Sequence, residues 1–514
     1  MRFLTIPWER VRSFGGVANG SQGIRFRVLF VVLAVIAFGV RLLLVLRGGG
    51  LLGVGAYDDG VYYAAATAFV HGRMPYLDFL FLQPPGVVLA GAPFAGLGAL
   101  TTDSTGFVAA RLGFMAIGAL NTVLVAAILR RFGFTAAAVG GFFYAVAYVA
   151  AYGERSILLE PVGTLGILVA LLVLARPALR GRTGWLLVAG VALGVATGFK
   201  IWYIVPAAVI IAWSGRAWGR MLLGAVAGGC AIYLPFLVAD PAASFREIVL
   251  DQLGRAGAAP SLGARVHMIL GDYAVPPLLA KAGLNTAGLT IVMALVAAAA
   301  VVVALTVRDA RLFVVLFVVD AAVLLAAPSF FLHYTALTSP MMSLVFGVAV
   351  GRAAALVHAH GARIAVAGGI AVLLVVANAP LVLRGAQEAS VQVGMLRAQA
   401  ERVSGCITAD DPTLLAVADV LTRDLDARCP LWPDVTGYTY GPDREVAAGG
   451  RWMPRADNAR WQRAVMEYLT SGSAVILSRS ATGLDADSHR MIVRGELLDR
   501  QRALLFVRTP VRES

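Results

Sequence analysis

Lysine is almost missing from this chain of 514 residues: Lys200 and Lys281 stand against 41 arginines. Charge of either sign is sparse, at 14% of residues, where soluble domains carry about 25%. Cysteine is limited to three positions and histidine to six. No His/Cys spacing resembles a zinc site, and no glycine-rich loop of the phosphate-cradling kind occurs. A soluble nucleotide donor or an ATP-driven cycle therefore finds no support. No internal repeat stands out, and no low-complexity tract beyond richness in Ala, Val and Gly.

What fills the chain is apolar: 59% hydrophobic residues and a mean hydropathy of +0.78. That composition reads as a polytopic α-helical membrane protein. Residues 385–514 carry 16 Arg against 17 Asp and Glu, so the rest holds an excess of 14 positive charges. The excess sits mainly in short loops, which points to topology and phosphate binding and not to a nucleic-acid surface.

A span needs roughly 20 apolar residues. The candidates are 28–46, 107–129, 134–151, 161–175, 185–199, 201–214, 221–238, 286–307, 312–328, 335–357 and 364–383. The first is long enough to cross and leads into further spans, so it reads as a signal anchor. Stretch 84–100 is also apolar, and charge decides its status. If it does not cross, the Arg clusters at 130–131, 176–182, 216–220, 308–311 and 352–363 all fall on the cytoplasmic side; if it does, all fall outside. The positive-inside bias selects the first arrangement. About eleven transmembrane helices follow, with the N-terminus inside, 84–100 interfacial or re-entrant, and the C-terminus outside. The outer segments are then 47–106, 152–160, the region of Lys200, 239–285 and 329–334.

Two domains are expected: a transmembrane domain 1–384 and a soluble extracytoplasmic α/β domain 385–514. The second shows helical patterns at 412–428 and 457–470, then strand-like runs Ala474–Leu477, Met491–Val493 and Ala503–Val507. Cys230 reads as a small packing residue. If 385–514 lies outside, Cys406 and Cys429 are candidates for a disulfide.

The chemistry gathers on the outer face. Tyr57-Asp58-Asp59-Gly60 places two adjacent carboxylates after the first span, at the start of an amphipathic stretch, Gly60–His71. Asp N-caps helices well, but a cap explains one Asp and not two. Glu160-Pro161 opens a span, where an acid is costly in lipid and functional by default; Pro at the first helical position also fits a cap. Lys200 lies between two apolar runs and reads as a phosphate-binding cation, with snorkelling as the plain alternative. His333-Tyr334, before Pro340, sits at another outer end. Glu154 and Arg155 fit a solvated loop pair, and Arg41 a snorkelling residue. His358 and His360 flank a cytoplasmic end.

These motifs, in this order, resemble the GT-C class of membrane glycosyltransferases. Asp58-Asp59 with Tyr62 resembles the Asp-Glu pair on the first outer loop of lipid A aminoarabinose transferases and protein mannosyltransferases. Tyr76-Leu77-Asp78-Phe79 through Gln83-Pro84-Pro85 is similar to the aromatic-acidic-aromatic and Lys-Pro-Pro stretch of that loop. Leu159-Glu160-Pro161 resembles the acidic-Pro motif opening the fourth span, Gly198-Phe199-Lys200 the Thr-Lys-Gly segment, and His333-Tyr334 the Arg-Tyr or His-Tyr element before a late span. Gln83 stands where Lys is usual and Asp59 where Glu is commoner. The resemblance covers about residues 25–345.

It implies an inverting glycosyltransferase that moves a sugar from a polyprenyl-phosphate donor to an extracytoplasmic glycan, lipid or protein acceptor. Asp58 would be the general base, with Asp59 and Glu160 orienting hydroxyls. Lys200, His333 and Tyr334 would meet the donor phosphate, and Tyr62, Asp78, Gln83 and Arg155 would bind substrate. No cofactor is implied, with a divalent metal left open. The rival from another class is a lipid-linked-sugar transporter, which should show polar residues at the midplane and two related halves. A non-catalytic assembly subunit is a third reading, with 385–514 as the working part.

Overall fold

The computed structural model describes residues 19–253, 260–271, 273–275, 277–357, 359–386, 390–440, 446–447, 451–477, 483–494, 496–500 and 504–507. His358 and Ala503 lie outside the described residues. Helices α1 (Asn19–Arg47), α2 (Asp58–Val70), α3 (Gly86–Leu100), α4 (Asp103–Leu129), α5 (Phe134–Val146), α6 (Tyr148–Gly153) and α7 (Glu160–Ala175) come first. Helices Thr183–Thr197, Ile204–Trp213, Trp218–Ala239, Thr286–Leu305, Arg311–Ala326, Ser339–Leu356 and His360–Arg384 complete the apolar part. Every apolar run read from the sequence thus carries a helix. Among the described residues, six helices are long and apolar enough to cross a membrane: Gln22–Arg47, Asp103–Phe132, Gly215–Ala239, Thr286–Leu305, Ser339–Leu356 and Gly361–Arg384. Run 134–151 is not continuous; the backbone at Ala147 leaves the helical region (ψ 119°) and splits it into α5 and α6.

Helix α3 has 15 residues, about 22 Å at 1.5 Å per residue, short of the roughly 30 Å hydrocarbon core. It leans on α2 and α4, and its first amide, Gly86, donates to the Gly198 carbonyl at 2.8 Å. Helices Thr183–Thr197 and Trp218–Ala239 pack with their backbones nearly touching. A Cβ on Gly194 would collide with the Ala225 carbonyl oxygen, and one on Gly190 with that of Met221. Small residues at crossings are the usual way for apolar helices to gain contact where lipid offers no hydrophobic drive.

Beyond His360–Arg384 the chain forms a four-stranded sheet in the order Ile407–Ala409, Ala474–Leu477, Leu504–Val507, Glu496–Arg500, with the first pair parallel and the others antiparallel. Helix Ala459–Leu469 packs beside it and is N-capped by Asn458, whose side chain accepts from the Trp461 amide at 2.9 Å. The helical pattern 412–428 is two helices, Pro412–Val417 and Leu421–Asp426, separated by Asp419 at φ +56°. Met491–Val493 is not a strand. Asp485 caps a helix over Ala486–Ile492 by accepting from the Ser488 amide at 2.7 Å, and Val493 is its C-cap. Cys406 and Cys429 form a disulfide with Cα atoms 5.6 Å apart.

The two parts are joined by polar contacts. The Asp103 carboxylate accepts from the Thr422 amide (3.0 Å) and hydroxyl (2.5 Å), and the Ser104 amide donates to Asp419 at 2.8 Å. Gly60 of α2 lies flat on the backbone of Thr413, leaving no room for a Cβ.

Gly194→Val should lower the thermal midpoint of the purified protein sharply or abolish accumulation, since overpacking costs typically about 1–3 kcal/mol. Gly229→Val on the facing helix, where a Cβ meets nothing within 4 Å, should leave the midpoint unchanged. Equal behaviour of the two would show that the close crossing is not formed.

Candidate active site

Asp58 and Asp59 are the first two residues of α2, and Tyr57 before them is held at φ +47°. A bulky residue in that region is strained, and two contacts hold it: the Tyr57 hydroxyl donates to Asp434 at 3.0 Å and accepts from the Thr436 amide at 2.9 Å. Successive helical side chains point about 100° apart, so the two acids face different surroundings. Asp58, with its side chain 39% exposed, lines a cavity of about 310 Å3. Asp59 is wholly buried.

Asp59 is enclosed by Arg111 of α4. One carboxylate oxygen accepts from Arg111 Nη2 (2.6 Å) and Nε (3.0 Å) and from the Ser156 hydroxyl (2.6 Å). Arg111 also donates to the carbonyls of Gly50, Leu51 and Gly53 and lies over the Phe107 ring. Of the two acids, Asp58 lines the cavity and Asp59 does not.

The cavity gathers several other sequence-predicted residues: Tyr62, Gln83, Arg155, His333 and Tyr334. His333 Nε2 lies 3.7 Å from the Asp58 carboxylate, its ring stacked on Phe331. Arg155 is buried under the Tyr152 ring and donates to the Tyr152 carbonyl at 2.6 Å. Glu160 and Lys200 are one layer back. They pair at 2.7 Å, and the ammonium rests 3.5 Å from the centre of the Tyr334 ring. Neither lines the cavity; the pair lies behind Tyr334, which does. Asp78 is elsewhere: it accepts from the Met74 amide at 2.6 Å and borders a second cavity of about 780 Å3.

Two further readings are corrected. Arg41 does not snorkel and Glu154 is not solvated. Both are fully buried and paired with each other, and Glu154 also accepts from Asn121 (2.6 Å) and Tyr144 (2.8 Å). The sequence reading missed Asp434, Thr436, Tyr440 and Arg455, which close the first cavity from the C-terminal part. The aromatic run Trp432, Tyr438 and Tyr440 around Asp434 was the available signal. Among the described residues no group of three His, Cys, Asp or Glu could hold a metal ion.

A buried carboxylate supports the wall between the two cavities. Glu247 accepts from the Phe81 amide at 2.8 Å, and Gln252 donates to the Leu82 carbonyl. Phe81 and Leu82 line the first cavity, and Tyr76 to Leu80 the second.

Residues 90–239 match the family model described as dolichyl-phosphate-mannose-protein mannosyltransferase. Among solved structures, ArnT from Cupriavidus metallidurans in the apo state superposes with a TM-score of 0.60 at 15% identity, covering 94% of this chain and 98% of ArnT. The fold is that of the GT-C membrane glycosyltransferases. The same ArnT bound to undecaprenyl phosphate gives a TM-score of 0.57 at 16% identity, with the same coverage. AglB, an oligosaccharyltransferase from Archaeoglobus fulgidus in complex with an inhibitory peptide and a dolichol-phosphate, gives 0.53 at 13% identity, over 90% of this chain and 70% of AglB. No curated protein matches by sequence. The GT-C likeness spans the sheet-bearing part as well as the helices.

Burial pushes the Glu247 carboxyl up to about 7, against the lowering effect of the Phe81 amide and Arg246. The folded state thus holds this proton more tightly than the unfolded chain, where Glu titrates near about 4.3. The resulting stabilisation is full below that value and is lost as pH rises through about 7. Between about pH 5 and pH 8 the wild-type thermal midpoint should therefore fall more steeply than that of Glu247→Gln. Parallel curves would show that Glu247 does not titrate in this window.

Proposed function

We propose that this chain is an inverting glycosyltransferase that takes a sugar from a polyprenyl-phosphate donor and passes it to an extracytoplasmic glycan, lipid or protein, with Asp58 as general base. One observation carries the reading: the Asp58 carboxylate opens into the same cavity as Arg155 and His333, in a fold shared with an ArnT bound to undecaprenyl phosphate. In the reaction the acceptor oxygen attacks the anomeric carbon and its proton passes to Asp58. The bond from that carbon to the phosphate oxygen breaks, and the polyprenyl phosphate leaves with the electron pair. Charge grows on the phosphate, so cationic donors aimed at it are the main electrostatic help.

The roles we infer differ in part from those the motifs imply. His333, 3.7 Å from Asp58, stands on the base's side, where it orients the carboxylate. In an inverting displacement the leaving group departs from the opposite face, so the phosphate falls to Arg155 and Arg455, whose guanidinium groups suit it. Tyr62 and Gln83 contact the sugar. Asp59 and the Glu160–Lys200 pair are positioning residues: the first fixes α2 and the second fixes Tyr334. Asp78 serves the acceptor from the neighbouring cavity.

The membrane arrangement proposed with this function has eleven spans in residues 1–384, the N-terminus inside, and residues 385–514 as an extracytoplasmic α/β domain. The Arg clusters support it, and so does the Cys406–Cys429 disulfide, since such bonds persist in oxidising compartments.

Transfer of a labelled sugar from a synthetic polyprenyl-phosphate donor by purified Asp58→Asn should fall about 10²–10⁴-fold with the thermal midpoint kept. Near-normal transfer would remove Asp58 as the base. Single cysteines at Leu77, 54% exposed in the loop between α2 and α3, and Ser471, in a Cys230→Ser background, should react with an impermeant maleimide in intact cells. Protection of both until lysis would overturn the topology.

A further inference from the structure

At the far end of the helices lies a cavity of about 420 Å3 that the transfer reaction does not use. Helix α4 starts beside α2 and runs 27 residues, about 40 Å, before reaching Arg131 on its rim. The ends of α7 and of Ile204–Trp213, both of which start near the first cavity, supply Leu171, Leu174 and Trp213. Arginines converge from separate segments: Arg131 after α4, Arg180 after α7, and Arg308 and Arg311 before the Arg311–Ala326 helix turns back. Among the described residues Asp309 is the single acid in the lining, with its carboxylate 4.0 Å from Arg131 and its carbonyl accepting from Arg131 at 2.7 Å. Three positive charges remain in excess over an apolar floor.

The level of this cavity in the membrane is marked independently. Trp185, Trp213 and Trp218 are all 42–56% exposed at helix ends on this side, and exposed tryptophans collect at the head-group level of a bilayer. Trp213 itself borders the cavity. Topology alone asks for arginines on this side but not for a cavity lined by them; Arg216 and Arg220 lie on the same side and outside it.

We propose that this cavity binds the phosphate of an anionic phospholipid, which ties α4, α7 and the Ile204–Trp213 and Arg311–Ala326 helices together at the face opposite the catalytic cavity. Arginine forks match phosphate oxygens, basic pockets between transmembrane helices take lipid head groups in this way, and the apolar floor suits the glycerol and the first methylenes.

The test uses the full-length protein in non-ionic detergent, with native mass spectrometry and thermal midpoint as readouts. Phosphatidylglycerol should be retained about fivefold or more over phosphatidylcholine, as arginines near an anionic head group predict, and should raise the midpoint. The variant Arg180→Gln/Arg308→Gln/Arg311→Gln should bring the two lipids level, while Arg216→Gln/Arg220→Gln, which loses charge on the same face, should keep the preference. Should the triple variant not fold, Arg308→Gln alone should lose part of the preference. Unchanged preference in the cavity variants, or equal loss in both sets, would overturn the site. Glycerol 1-phosphate raising the midpoint as much as phosphatidylglycerol would overturn the lipid in favour of a free phosphate. Sugar transfer is not the readout, so failure here leaves the role of Asp58 untouched.

Discussion

A carboxylate locked inward aims its neighbour outward: the pairing of Asp59 with Arg111 is the constraint from which the rest of the cavity follows. Arg111 directs its donors to Asp59 and to the carbonyls of Gly50, Leu51 and Gly53. It thereby fastens the exit of α1, the start of α2 and the middle of α4 to one guanidinium, and Ser156 adds the turn before α7. Removing one partner of such a pair costs about 3–5 kcal/mol, because the other is left buried and charged. With Asp59 fixed, helical geometry leaves Asp58 facing the cavity. Two further pairs repeat the device: Arg41 with Glu154 joins α1 to the turn after α6, and Lys200 with Glu160 joins the start of α7 to the turn after Thr183–Thr197.

The second wall of the cavity comes from far along the chain, and it is held by an apolar core shared with α2, through Val61, Leu414 and Leu415 among others, and by hydrogen bonds. Tyr57 reaches Asp434, Asp103 reaches Thr422, and the Arg73 guanidinium reaches the Cys429 carbonyl at 2.9 Å. Polar joints of this kind demand defined geometry, so the sheet-bearing part is set in register on α2 and not merely laid against it. The strained backbone of Tyr57 sits where these constraints meet, as strain does when the surroundings over-determine a residue.

Much of this was legible in the sequence because apolar runs and Arg placement are local signals. The helices appeared where hydropathy put them, and the motifs carrying Asp58, Tyr62, Gln83, Arg155, His333 and Tyr334 met in one cavity. What could not be read was which groups satisfy one another. Arg41 and Glu154 are 113 residues apart, so Arg41 looked like a snorkelling residue and Glu154 like half of a solvated pair with Arg155. Asp58 and Asp59 looked like a chemical pair, although neighbours on a helix diverge and only one can face a cavity. Lys200 and Glu160 are 40 residues apart, so their pairing was equally invisible. Met491 and Val493 read as a strand, but the Asp485 cap commits that stretch to a helix, one local signal overriding a weak propensity. Asp434, Tyr440 and Arg455 lay in a region with no motif, where only geometry shows what they face.

The order of the chain also matters to when the cavity comes into being. Its floor is built from residues around Asp58 and its roof from residues around Asp434 and Arg455, so the ribosome lays down the first long before the second. During synthesis the membrane helices can insert and pair their buried charges while the carboxylate of Asp58 still faces open water. Enclosure waits for the late segment to fold, close its Cys406–Cys429 disulfide and seat on α2. The order of synthesis thus displays Asp58 before its chamber exists, and the two combine once the late segment is in place.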